Sequence, residues 1–311
     1  MPLFKYFGPA ASAASLSKPG EYTLRFNHPK DYNDPYELFL LPDEPLESIE
    51  ERAYYENFLK QLPQAPVTCF SRRPDSTVMW AHYGQLSTGI CLELDEDKLF
   101  QEIDGGYICD VEYSDSPAYI SSNAIKLACT TKKNRHTLFL LSSANRAAYF
   151  RKRAIWSYEQ ERRLVLTHDQ VIELNKLLLG RYSSVSIARI IIGPHADHGL
   201  REMVMSYAKE SGVEVMDMAY SRRVVHPIFR LLDKTYYWTG DWFQHQEHCC
   251  NKCFEPLEND NRKCHWCELS EEDLAWARNT NQTMAFVGAG VMPGIPLLFD
   301  GLVRRGRRIS T

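Results

Sequence analysis

At roughly 150 residues per domain, a chain of 311 residues has room for about two domains. It is 44% hydrophobic and 24% charged, and Lys+Arg 36 against Asp+Glu 40 leaves a net charge of -4. These values exclude a collagen-like chain, a wholly disordered one and a strongly cationic nucleic-acid coat. The nine cysteines are too few for a small disulfide scaffold, yet Cys249, Cys250, Cys253, Cys264 and Cys267 crowd into one C-terminal stretch.

In chain order, Tyr22 to Phe26 alternates as a short strand and is followed by turn-rich Asn-His-Pro and Asn-Asp-Pro segments. Apolar residues at 46, 49, 55, 58, 59 and 62 have helical spacing, with Pro63 as a stop. Strands are expected at Val67 to Ser71, Thr88 to Leu94 and Tyr107 to Tyr113, and a helix from His136 to about Arg153. The segment Tyr158 to Leu166 reads as extended from its centre onward. The β-branched run Ile187 to Ile192, ended by Gly193-Pro194, predicts a buried strand. A helix near Leu200 to Lys209 and a strand near Val213 to Met218 follow.

Irregular alternation without repeated βαβ units favours an α+β fold with a mixed, mainly antiparallel sheet. The expected division is an α+β domain over 1–232, a four-cysteine zinc module over 233–275 and a tail over 276–311. The stretch Met284 to Phe299 is broken by glycines and prolines and is shorter than the ~20 residues a membrane-spanning helix needs. With no signal-peptide pattern at the start, a cytoplasmic location and no membrane partner are expected. The arginines 304, 305, 307 and 308 form a basic tip, read as a solvated terminus or as a nucleic-acid contact.

Cys250-x2-Cys253 and Cys264-x2-Cys267 are paired knuckles of zinc-ribbon type. Four thiolates can close a tetrahedral Zn²⁺ site that leaves no position open for catalysis, so the expected role is structural. Cys249, His248 and His265 compete as ligands, and His265 would have to point away from the metal. In so small a module the metal supplies much of the folding energy.

Three constellations in the larger region carry candidate chemistry. Asn33-Asp-Pro-Tyr-Glu37 sets two carboxylates and an amide about a turn, or is a plain Asx-turn. Met79-Trp-Ala-His-Tyr83 puts Trp80 and Tyr83 on one helical face, for core packing or for stacking on a planar ring. In Trp156 to Arg163, an extended chain would project Glu159, Glu161 and Arg163 to one face. Two carboxylates so placed repel unless a cation or ligand compensates; a surface strand with Glu–Arg pairing is the alternative.

Lys5-Tyr6, Leu24-Arg-Phe26, Asn33-Asp-Pro-Tyr-Glu37, Met79-Trp-Ala-His-Tyr-Gly84, Val111-Glu-Tyr113, Trp156-x-Tyr-Glu-x-Glu-Arg162 and Ile191-Ile-Gly193 occur in this order. The series resembles a bacterial family known as domain of unknown function 2971, over roughly residues 3 to 220. Its layout is similar to the ADP-ribosyltransferase fold, with an NAD cleft formed by an early strand, an aromatic segment and a late glutamate strand. The resemblance implies that Glu161 serves the nicotinamide ribose and Glu159 orients the acceptor. It implies that Lys5, Tyr6, Arg25, Asn33 and Asp34 lie near the nucleotide, and that Trp80 or Tyr83 stacks on nicotinamide. Lys5-Tyr6 departs from the His or Arg that many such transferases carry there.

The function this implies is an NAD-dependent ADP-ribosyltransferase, a toxin or phage-defence effector modifying nucleic acid (RNA before DNA) or protein and needing an antitoxin or other restraint. Two further readings stay open. One is a metal-dependent nuclease with Asp34, Glu37, Glu159 and Glu161 on Mg²⁺; the other is a non-enzymatic nucleic-acid or protein adaptor working through the zinc module.

Overall fold

The computed structural model describes residues 1–258, 260 and 262–280. The Met284 to Phe299 stretch and the arginine tip lie outside the described residues. The chain divides into two compact units, Met1–Glu247 and His248–Thr311.

In chain order the elements are β1 (Pro2–Phe7), α1 (Pro9–Ser15), β2 (Glu21–Phe26), β3 (Leu40–Pro42), α2 (Ile49–Lys60), β4 (Val67–Ser71), α3 (Thr77–His82), β5 (Ile90–Asp95) and α4 (Glu96–Gln101). Next come β6 (Tyr107–Asp110), β7 (Glu112–Tyr113), β8 (Ala118–Ile120), α5 (Ser122–Thr131), α6 (Asn134–Tyr149), β9 (Arg151–Lys152), β10 (Glu161–Val165), β11 (Ile172–Leu174) and β12 (Leu177–Ser183). The series closes with β13 (Ile187–Ile192), α7 (His198–Ser211), β14 (Glu214–Tyr220), β15 (Pro227–Leu231), β16 (Lys234–Trp238), β17 (Phe243–Gln246), α8 (His265–Glu268) and α9 (Glu271–Thr280).

The first unit is α+β, as the pattern predicts. Its main sheet has ten strands in the order β17-β16-β15-β14-β13-β5-β1-β4-β10-β6. All pairs in it are antiparallel except β13 with β14. That one parallel pair is joined through α7, because parallel neighbours need a crossover. A three-stranded sheet, β11-β12-β2, carries Arg25. The expected boundary after residue 232 moves to Glu247, because β16 and β17 extend the main sheet instead of bridging to the cysteines. The division before residue 276 falls inside α9.

The centre of the sheet is buried on both faces. Leu92, Ile190 and Ile192 join a cluster with Leu200 and Val204 of α7. Their neighbours Cys91 and Ile191 point the other way and pack with Phe4, Trp80 and Phe229. Two-sided burial is why the β13 sequence reads as an unbroken apolar run, and each such side chain contributes roughly 1.5–3 kcal/mol. A third cluster joins Leu40, Tyr55 and Phe58 to Ile125, Leu140 and Ala144 of the paired helices α5 and α6.

Two expectations fail locally. The helix expected to reach Arg153 ends at Tyr149, and Arg151 and Lys152 pair with β7 as a strand. The strand expected over Tyr107 to Tyr113 divides at Val111, whose N–H donates to the Glu161 carbonyl at 2.9 Å.

The second unit is built on the two knuckles. Phe254 N–H donates to the Cys250 carbonyl at 2.8 Å, and Cys267 N–H to the Cys264 carbonyl at 2.9 Å. Cys250, Leu257 and Cys264 form its small buried core.

Candidate functional site

Adjacency of β1, β4 and β10 brings three distant segments to one cavity of about 250 Å³. Lys5, Tyr6, Arg25, Asn33, Tyr83, Glu159 and Glu161 of the expected set line it, together with Asp31, Tyr32, Cys69, Met79 and Lys152.

Glu159 and Glu161 reach the cavity floor by different local structures. Glu159 ends a 3₁₀ turn, Glu161 opens β10, and Gln160 between them is left-handed at φ 42°. The straight extended chain expected over both residues is therefore replaced by a turn and a strand. Ser71 Oγ donates to the Glu159 carbonyl at 2.6 Å, and Glu161 N–H donates to the Tyr113 hydroxyl at 2.7 Å. Both carboxylates are buried, at 2% and 4% exposure.

Lys152 joins them: its Nζ lies 2.6 Å from Glu159 Oε2 and 3.2 Å from Glu161 Oε2. Tyr83 donates its phenol to Glu159 Oε1 at 2.5 Å. Arg163, fully buried, donates Nε–H to Glu161 Oε1 at 2.8 Å and forks onto Glu37 at 2.6 and 2.9 Å. Its remaining donors reach Glu161 Oε2 at 3.1 Å and the Tyr149 carbonyl at 2.8 Å, so all five guanidinium N–H groups are used.

This arrangement separates the two acids. Burial raises the Glu159 carboxyl above its usual range, Lys152 opposes the rise and the Glu161 charge adds to it. Burial would also raise Glu161, but Arg163 and Lys152 outweigh it and hold that carboxyl well below the usual range. Burial pulls the Lys152 ammonium down, yet Glu161 and Glu159 more than restore it. Burial also lowers Lys5, whose Nζ donates to Thr68 Oγ1 at 3.0 Å and to the Cys69 carbonyl at 2.8 Å. The Cys69 thiol is pushed up to about 12 by burial and by Glu161, which removes it as a nucleophile near neutral pH.

Three sequence expectations are corrected. Trp80 is fully buried, meets Tyr6 edge-on at 5.2 Å and donates Nε1–H to the Pro74 carbonyl at 2.7 Å. It presents no face to a ligand, because the apolar cluster beneath the sheet takes up the indole, and Tyr83 alone of the pair reaches the cavity. Asp34 makes the Asx-turn: its Oδ1 accepts the Tyr36 N–H at 3.0 Å, and it stays outside the cavity wall. Glu37, buried and held by Arg163, is a partner of the cavity floor.

Lys152, Arg163 and Tyr113 hold the two glutamates and are not among the site residues expected from the sequence. Arg163 carried a signal, sharing the alternating face of Glu161. Lys152 carried none, because helical periodicity ran through it.

In the second unit, the sulfurs of Cys250, Cys253, Cys264 and Cys267 all lie within 4.8 Å of one another. Among the described residues this is the group of His, Cys, Asp and Glu side chains that could hold a metal ion, and four thiols suit zinc. The Cys253 to Cys264 separation of 3.5 Å is close to the edge of a tetrahedron with ~2.3 Å Zn–S bonds. Burial alone would raise the Cys250 thiol, but donation from the backbone N–H groups of Cys253, Cys264 and Lys252 holds it at about 6. Cys253 is raised, by burial first, and a cation at the centre would ionise both. His265 is exposed and lies 3.7 Å from Glu268, turned away as the knuckle requires. Cys249 sits outside the group, on a bridge to Pro256.

A family model described as a protein of unknown function, DUF2971, matches residues 79–164. The match spans α3 to β10 and so contains Tyr83, Lys152, Glu159, Glu161 and Arg163; the second unit lies outside it. No curated protein and no solved structure matches the chain.

Proposed function

We propose that the chain is an NAD-dependent ADP-ribosyltransferase. The reading is carried by one observation: Glu159 and Glu161 share one ammonium at the floor of a cavity, yet their affinities for a proton are driven in opposite directions. A pair of acids so divided supplies two roles, a permanent anion and a proton acceptor.

Glu161, kept ionised, stabilises positive charge developing at the ribose carbon as its bond to the nicotinamide nitrogen breaks. The electron pair of that bond passes to the pyridinium ring, and nicotinamide leaves neutral. A lone pair of the acceptor forms the new bond to the same carbon. The proton the acceptor then loses passes to Glu159, whose raised affinity suits it as base. Lys152 holds the two carboxylates against their mutual repulsion. A cavity of about 250 Å³ takes the reacting end of a dinucleotide, below the ~300–1,000 Å³ of a site enclosing a larger ligand. Arg25 lines it as an exposed cation without an ion-pair partner among the described residues, free to meet a phosphate.

The Mg²⁺ nuclease reading is less well supported. Of the four carboxylates it needs, Asp34 faces its own turn outside the cavity and both oxygens of Glu37 are held by Arg163.

The test is incubation of the purified full chain with labelled NAD and total cellular RNA, DNA and protein. Nicotinamide release that is lost in Glu161→Gln supports the transferase. Mg²⁺-dependent cleavage of nucleic acid without NAD turnover overturns it in favour of the nuclease. Function that survives Glu161→Gln but is abolished by replacing Cys250 and Cys264 supports the adaptor.

A further inference from the structure

Outside the cavity lining, a ladder of neighbouring rings links Tyr83 to Lys152, both of which line the cavity. Tyr83, the phenol donor to Glu159, neighbours His82 at 6.4 Å between centroids. His82 neighbours Tyr158 at 6.4 Å, and Tyr158 neighbours Trp156 at 6.1 Å. The Trp156 ring receives the Lys152 ammonium at 4.9 Å. The ladder thus begins and ends on the two groups that hold the Glu159 carboxylate. His82 is exposed, and Tyr158 and Trp156 are half-buried, so ring surface remains open to solvent. In the next residue along, Arg153, the guanidinium lies 5.3 Å from the half-exposed ring of Tyr36.

The charges of this rim are also unbalanced. Arg153 and Arg25 have no ion-pair partner among the described residues, and both are exposed. The acids lining the cavity are Asp31 and the two glutamates, and the glutamates are already neutralised from within. Open rings beside unpaired arginines are the combination that single strands use, with bases on π faces and phosphates on cations.

We infer that this rim binds a single-stranded nucleic acid as acceptor, stacking bases on Trp156, Tyr158 and His82 and meeting phosphates with Arg153 and Arg25. The inference rests on the transferase reading, and it places the acceptor on the Glu159 side of the cavity. A duplex is disfavoured as the acceptor, because its bases are stacked on one another and would have to be flipped out at a cost of a few kcal/mol before they offered a free face. A peptide adding to the sheet would need an open edge at the site, and β10 is paired on both sides, with β4 and β6.

The test is binding without NAD. A fluorescent single-stranded RNA of about 12 nucleotides, long enough for one aromatic site, its DNA equivalent and the matching duplex are titrated with the full chain by anisotropy. Single strands are expected to bind and the duplex to bind at least about tenfold more weakly. Trp156→Ala is expected to lose about tenfold, while Trp156→Phe, which keeps a ring, retains most of the affinity. Arg153→Gln should lower the salt dependence by about one phosphate contact. Glu161→Gln should bind as the wild type does while losing NAD turnover.

Equal binding by wild type and Trp156→Ala, with matched thermal unfolding, overturns the inference. So does preference for the duplex, or NAD turnover whose label enters protein alone. Single-strand binding without any NAD turnover would instead overturn the transferase reading and leave the rim standing.

Discussion

Glu159 and Glu161, two positions apart in the chain, share the ammonium of Lys152 at 2.6 and 3.2 Å, although one leaves a 3₁₀ turn and the other begins a strand. Gln160, left-handed between them, is what lets neighbouring pieces of different secondary structure converge. That convergence makes the two acids separable by experiment.

Glu161→Gln keeps the shape of the side chain and removes its charge. If Glu161 stabilises a cationic transition state, NAD turnover should fall by about 10²–10³-fold, the range for losing one preorganised electrostatic group. Glu159→Gln should impair transfer to the acceptor more than release of nicotinamide to water. Separate measurement of the two rates on labelled NAD checks both.

The pH response distinguishes the pair by sign. Glu161 has its folded-state affinity for protons depressed, so its stabilising contribution is present above the normal carboxylate value and lost as pH falls through its lower folded value. Glu159 is raised, so its contribution is present below the normal value and lost as pH rises through the higher folded value. Thermal unfolding between about pH 3 and 8 should therefore show Glu159→Gln gaining on the wild type as pH rises above ~4.3. The transfer rate should rise with pH over that same interval and lose this limb in Glu159→Gln.

Arg163→Met should be more damaging to stability than either glutamate substitution. It leaves the buried Glu37 and Glu161 to the single Lys152 ammonium, at 4.0 and 3.2 Å, and breaking a buried pair from one side costs about 3–5 kcal/mol. Arg163→Lys should recover only part of this, because an ammonium has three donors where the guanidinium makes five hydrogen bonds. Urea unfolding of both variants, with the Glu37→Gln/Arg163→Met double substitution as the neutralised control, measures the difference.

Metal analysis of the full chain should find about one zinc per chain, the stoichiometry of a closed four-thiolate site. The metal should be lost on replacing Cys253 and Cys267 with Ser. Hydrogen exchange should then show residues 248 to 258 losing protection while β10 keeps it, since among the described residues the core of the cysteine unit is centred on Cys250, Leu257 and Cys264.

Local spacing determined much of this protein. The paired knuckles were legible because a CxxC turn needs only its own backbone, and the strands at 67–71 and 187–192 because side-chain alternation and burial are written into short runs. The shared face of Glu161 and Arg163 followed from the two-residue period of a strand. What the sequence could not disclose was who answers each charge. Glu37 meets Arg163 across 126 positions and Tyr83 meets Glu159 across 76, pairings created by the order β1-β4-β10 and by the turn at Gln160. Trp80 and Tyr83 share a helical period, yet only packing against the sheet decided that the indole is buried and the phenol faces the cavity. Periodicity assigns a side chain to a face; the tertiary structure alone assigns that face its neighbours, its dielectric and its charge.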